Sequence, residues 1–166
     1  RFGISRTSYI FILAFLGLHL VGARYLYSYV PYDDWMRSLL GFDVTKRFAL
    51  TRNHYDRFVH FGFGVLLLPP FDRFCRRIVG LDNRWTCVFA VSLIVSTSAC
   101  YEIFEWIVAV IMAPDWADSY NGQQGDPWDA QADMLLALIG GVLSAAILEV
   151  WRGRQTSYGE RSNRRR

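Results

Sequence analysis

Cysteine is scarce in this 166-residue chain. Cys75, Cys87 and Cys100 are odd in number, far apart and form no CxxC pair. That excludes a disulfide framework and a zinc-binding spacing and leaves them as small apolar packing residues. A Gly-rich phosphate loop, a nucleophile elbow and a His-Glu-x-x-His pair are also missing, which removes the common nucleotide, hydrolase and zinc-peptidase signatures. There is no internal repeat, no low-complexity segment apart from a short polar tail, and no cleavable-signal pattern. The chain opens on Arg1 rather than Met, so it is expected to be a fragment or a processed form with upstream segments missing. Charge is nearly absent from one long stretch: between Trp85 and Met112, Glu102 and Glu105 are the two charged residues in 28.

What is present is apolar and aromatic, 52% and 16% of residues, with a mean hydropathy of +0.15. The net charge of +3 is unevenly spread. Residues 152–166 hold six arginines and one glutamate, leaving 12 basic and 14 acidic groups in residues 1–151. Nucleic-acid binding would need basic residues along one face of a fold. Here they collect at segment ends and in one connection, the pattern of a membrane protein.

Four stretches are long or apolar enough to matter. Ser8 to Val21, extended toward Val30, is long enough for a tilted span and ends in an aromatic belt, Tyr25, Tyr27 and Tyr29. Phe58 to Leu68 is short by itself. It spans only if its helix starts near Asn53, and Pro69-Pro70 should stop it. Trp85 to Met112 exceeds the roughly 20 residues a crossing needs. Pro127 to Trp151 forms the fourth, with Asp126 as N-cap, proline at the first helical position, and a small-residue face of Gly140, Gly141, Ser144 and Ala145 for close packing. The expected fold is therefore all-α, a polytopic bundle of about four spans made by residues 1–151, followed by a basic, disordered cytoplasmic tail, 152–166.

Arginine distribution orients it. Arg73, Arg76, Arg77 and Arg84 sit in the connection 71–84 and six more arginines lie in the tail, whereas 113–126 has no Lys or Arg. By the positive-inside rule both termini and the 71–84 connection are cytoplasmic and 113–126 is outside. Residues 31–53 must then also be outside, although they hold Arg37, Lys46, Arg47 and Arg52. The tail arginines would be drawn to anionic headgroups.

Ionisable groups inside a span cost about 2.5–3.5 kcal/mol each and so mark candidate sites. In a helix starting near Asn53, Asp56 and His60 are four apart and Arg57 and His60 three apart, so they share a face. Glu102 and Glu105 are one turn apart, with Ser98 four residues before Glu102, forming a polar stripe in the outer half of the third span. Two such carboxylates do not both stay charged in a low dielectric without a cation or basic group between them. Asp129 and Asp133 are four apart at the outer end of the fourth span. First-turn acids are ordinary at helix starts, but Asp133 lies beyond the first turn. All three clusters should meet at the outer interface, and His19, near the outer end of the first span, joins them. Carboxylates with one or two imidazoles suit a divalent cofactor such as Mg, Mn, Zn or Fe. The expected metal ligands are Glu102, Glu105, Asp129, Asp133 and His60. The candidate catalytic groups are His60, Glu102, Glu105 and Asp133, with Arg57 and His54 facing an anionic substrate.

The runs HLVGARYLY (19–27) with Val30-Pro31, RNHYDRFVHF (52–61), YEIFEW (101–106) and GQQGDPWDAQADM (122–134) resemble the YjdF-like family of bacterial inner-membrane proteins. The resemblance covers nearly the whole chain. It implies a multi-pass protein of the inner membrane, usually with further membrane segments at its start, and carries no established activity. A fainter likeness is to VanZ-like membrane proteins, on Asp56, His60-Phe61, Glu105 and Asp129, without their Gln after the glutamate or their Asn near Asp133. It implies an outward-facing site acting on lipid-linked or cell-wall material.

Three functions fit these residues. One is an enzyme acting through a metal or acid/base groups on a lipid or envelope precursor. A second is an ion or small-solute transporter, against which the inner half of the third span offers no ionisable relay. The third is a non-catalytic subunit that binds a membrane protein partner. Membrane lipids are partners in every case, and nucleic acid in none.

Overall fold

The computed structural model describes residues 4–111 and 124–163. Among the described residues all regular structure is helical: α1 (Arg6–Arg24), α2 (Tyr32–Leu40), α3 (Val44–Arg47), α4 (Tyr55–Phe74), a π-helical turn (Cys75–Val79), α5 (Asn83–Ile111) and α6 (Asp129–Asn163). The all-α expectation holds. Most of the connection 113–126 lies outside the described residues.

Among the described residues three helices are long and apolar enough to cross a membrane: Arg6–Arg24, Trp85–Ile111 and Asp129–Arg154. Their outward residues are those a hydrocarbon solvent would cover, such as Leu13, Leu20, Val110 and Ile147, all more than half exposed. α4 is as long, 20 residues, or about 30 Å at helical rise, but its ends are more polar. It packs against α1, α5 and α6, so Asp56, His60 and Asp72 are buried within the bundle.

Pro69 and Pro70 do not end α4, as their sequence position suggests; they lie inside it. A helical proline leaves the carbonyl four residues earlier without its donor. That carbonyl, Val65 O, accepts a 2.9 Å hydrogen bond from Ser144 Oγ of α6. The same contact shows why the small-residue face is there. A Cβ on Gly64 would collide with the α6 backbone at Ala137 and Gly141, and one on Gly140 with the carbonyl of Phe61. Glycine on both helices lets the two backbones touch. The core beneath is Phe63, Leu68, Ala90, Ile94, Ala137 and Ala145.

α1 is capped by Ser5, whose Oγ accepts from Ser8 N at 3.1 Å. After it the chain doubles back through Leu26 and Tyr27, both left-handed at φ 51° and 53°. Each costs of order 1 kcal/mol or more. The reversal buries the Tyr27 ring against Gly22 and brings its hydroxyl within 2.6 Å of His19 Nδ1. Residues 31–53 are more structured than a loop. Asp33 Oδ1 accepts from Thr45 N, tying α2 to α3, and Arg37 and Lys46 both pair with Asp43, at 2.5 and 3.0 Å. Arg37 and Lys46 are thus paired at the surface, and Arg52 turns into the bundle end onto Asp129.

Two further boundaries differ from the sequence reading. α6 starts at Asp129, and Asp126 caps the preceding turn through Trp128 N, 2.9 Å from Oδ1. The helix also runs on through Asn163, past Arg152, where a disordered tail was expected. At that end Asp72 binds Arg76 and Arg152, and Glu149 binds the same two arginines at 3.5 and 2.7 Å, locking α4 and the π turn to α6.

Candidate functional site

The opposite end of the bundle gathers the acids. α4 supplies Asp56 and His60 from adjacent turns, α5 Ser98, Glu102 and Glu105, and α6 Asp129 and Asp133. All seven are buried. His60 is the hub: its Nε2 lies 3.3 Å from Glu102 Oε1 and 3.7 Å from Asp56 Oδ1, and its Nδ1 is 3.5 Å from Ser98 Oγ. Asp56, His60 and Asp133 each present a ligand atom within 4.8 Å of the other two. Among the described residues, Asp56 Oδ2, Asp133 Oδ1 and Glu102 Oε1 have no hydrogen-bond partner, the approach of His60 to the last lacking hydrogen-bond geometry. Buried carboxylate oxygens without donors are costly.

Arginine does not relieve them. Arg52 Nη2 binds Asp129 Oδ1 at 2.6 Å, and Arg57 Nη2 binds Asp126 Oδ2 at 2.5 Å and Asp129 at 3.3 Å. Both guanidiniums are thus engaged on Asp126 and Asp129 at the rim, while no Lys or Arg pairs with Asp56, Glu102 or Asp133 among the described residues. The rim splits the expected ligand set. Asp129 is taken by arginine, Asp133 faces inward, and Asp56, absent from the expected set, takes a place beside His60. The signal for Asp56 was already in its four-residue spacing from His60. Arg52 was harder to find, because its partners are 74 and 77 residues away.

The rim is braced from the connection before α4. Asn53 Nδ2 donates to Val30 O, Gln124 Oε1 accepts from Asn53 N, and Gln124 Nε2 donates back to Asn53 O. Asp126 is held below the usual carboxylate range by its hydrogen bond from Trp128 N and by the two arginines. His54 donates its backbone N–H to Tyr32 Oη. Burial, with Arg52 and Arg57 nearby, pushes its imidazole below the ordinary histidine value, which favours a neutral ring over a cation for an anionic substrate. His19 does not enter the acid cluster. It is joined to it through Tyr101, whose ring centroid is 6.0 Å from both His19 and His60.

The DUF2238 family, described as predicted membrane proteins, matches residues 1–154. The inner membrane protein YjdF of Escherichia coli strain K12 is 31% identical over 156 residues, which covers 93% of this chain and 70% of that protein. No solved structure is significantly similar. The resemblance carried by the motifs around His60, Glu102 and Asp133 is thus borne out, and with three helices of membrane-crossing length and composition the chain belongs to the DUF2238 family, as a multi-pass protein of the bacterial inner membrane.

Proposed function

We propose that this is a four-span protein with both termini in the cytoplasm and a divalent-cation site at the outer membrane interface, acting on a lipid or envelope precursor. α4 is the fourth span in this reading, its polar groups sheltered by the other three helices. The orientation rests on the arginines of 71–84 and of the C-terminal end. The observation that carries the site is the buried trio Asp56, His60 and Asp133, with carboxylate oxygens unpartnered on two of its three members. Carboxylates that arginine does not match are sustained by a bound cation or by shared protons. An imidazole among them favours Mn, Fe or Zn over Mg. Ser98 Oγ, 3.5 Å from His60 Nδ1, orients the ring, and Glu102, 3.3 Å from Nε2, is available as a further ligand. A bound ion would polarise a phosphoryl or carbonyl oxygen of the substrate. The residues' own part is to hold that ion, exclude water from it and exchange protons through His60 and Glu102.

Transport is the poorer reading, because buried Phe63, Leu68, Ala90 and Ile94 fill the bundle between this cluster and Asp72 with apolar side chains. A non-catalytic role, in which the polar groups fix helix register, draws support from the Arg52 and Arg57 clamp on Asp126 and Asp129.

Protein purified without added metal and assayed by elemental mass spectrometry should carry a stoichiometric divalent ion, lost in Asp133→Asn and in His60→Ala. A parent protein free of stoichiometric metal would refute the cation site. Metal-free but folded variants with an unchanged host phenotype would select the non-catalytic role.

A further inference from the structure

Between α1 and α5, over the outer half of α4, lies a cavity of about 240 Å³. Its wall changes character along its length. At one end it presents Asp56, His60 and His19, and deeper in the bundle Phe15, Leu16 and Phe63. Asp56 and Phe63 are seven residues apart on α4, about 10 Å of helical rise, so the gradient from polar to apolar runs along the bundle axis. α1 packs along α4 rather than along α5. Across the cavity the two helices meet through side chains, with the His19 ring edge-on to Tyr101. The flank beside this opening is apolar: Leu13, Leu16 and Leu20 of α1 are 62%, 43% and 67% exposed. In a spanning bundle the medium against them is lipid hydrocarbon.

We propose that this cavity is a lateral pocket for one hydrocarbon chain of an anionic bilayer lipid, entering between α1 and α5 with its headgroup oxygen at the Asp56–His60 end. The inference rests on the cation-site reading and gives that site its substrate class. The volume is below the roughly 300 Å³ at which pockets begin to enclose a whole drug-sized molecule, which fits a length of chain with the rest of the lipid outside. An amphiphile matches the wall in both halves: its charged end meets the polar cluster, and its methylenes meet Phe15, Leu16 and Phe63.

The full chain reconstituted in nanodiscs with phosphatidylglycerol carrying a diazirine in one acyl chain, irradiated and mapped by peptide mass spectrometry, tests this. Adducts should concentrate at Leu16 and Thr97, which line the cavity, over Leu13 and Leu20, which flank it. Leu16→Trp and Thr97→Phe should each cut cavity labelling about tenfold, the effect of excluding two methylenes, and leave labelling of Ile139 on α6 unchanged. Leu20→Trp should leave the cavity adducts intact. Two blocking variants on different helices keep the test decisive if one fails to fold. Labelling spread evenly over the exposed apolar faces, or cavity labelling unmoved by either blocking variant, overturns the proposal. Metal content measured on the same samples separates the two readings. Even labelling with metal retained removes the lipid pocket alone, and concentrated adducts without metal remove the cation site while the pocket stands.

Discussion

Gly64 and Gly140 carry no side chain to pack, yet they set how closely α4 and α6 approach. A methyl on Gly64 would overlap the α6 backbone, and backbone, unlike a flexible side chain, cannot swing aside. Gly64→Ala should therefore cost about 1–3 kcal/mol, read as a lower midpoint in denaturing-detergent titration, whereas alanine at Gly17, with open space around its Cβ position, should be neutral or slightly stabilising. Asp126 makes a pH prediction. Its carboxyl is depressed in the fold, first by the Trp128 N–H and then by Arg57 and Arg52. A depressed acid contributes stability above its unfolded value, and that contribution is lost as pH falls through the folded one. The difference in melting temperature between the parent and Asp126→Asn should thus hold from neutral pH down to near the ordinary value of 3.8, and shrink below it. A difference already lost at pH 5 would mean that Asp126 is not held by the rim. The site's residue types were legible from their cost in a span, and Asp56 from its spacing to His60. Which acid meets arginine and which meets histidine was not, because Asp129 and Asp133 share a helical face and differ only in whether Arg52 and Arg57 reach them.

α4 is the element on which the sequence reading fails most usefully. It lacks the apolar composition of the other three long helices because it spends its polar residues inward, on the acid cluster at one end and on Asp72 at the other. Its prolines were expected to end it; Ser144, 79 residues away from Val65 in the chain, supplies the missing donor. Removing that donor in Ser144→Ala takes away the hydrogen bond to Val65 O and should cost about 0.5–1.5 kcal/mol. In a Pro69→Ala background the added N–H restores the helical bond, so the same substitution should cost less. At the other end Asp72 is 5% exposed and bound by two arginines. Asp72→Ala removes the buried carboxylate that Arg76 and Arg152 share, leaves them Glu149, and should cost about 1.5–3 kcal/mol, by the same detergent titration. The Asp72–Arg76 pair is local, four residues apart, but no local pattern announces the Ser144 or Arg152 contacts, because both residues lie on a distant helix.

At the scale of the molecule, orientation is open to direct test. A fluorescent-protein fusion after Arg166 should be bright and an alkaline phosphatase fusion there inactive, and a cysteine at Leu39, 77% exposed on α2, should react with an impermeant maleimide from outside the cell. The opposite pattern would invert the bundle and place the acid cluster at the cytoplasmic face. From the residues alone it follows that this chain lives in a membrane, that it is helical, and that its costly groups fall into three clusters. Those properties follow from composition and from the periodicity of a helix, which are local. Tertiary structure decided that α4 lies among the other three helices, that the clusters converge on one end, and that arginine takes Asp126 and Asp129 while Asp56, His60 and Asp133 close on one another. Those outcomes depend on how helices far apart in the chain rotate and press together, and in this fold α4 and α6 close on each other where Gly64 meets Ala137 and Gly141 and Gly140 meets Phe61, a contact that no stretch of sequence contains alone.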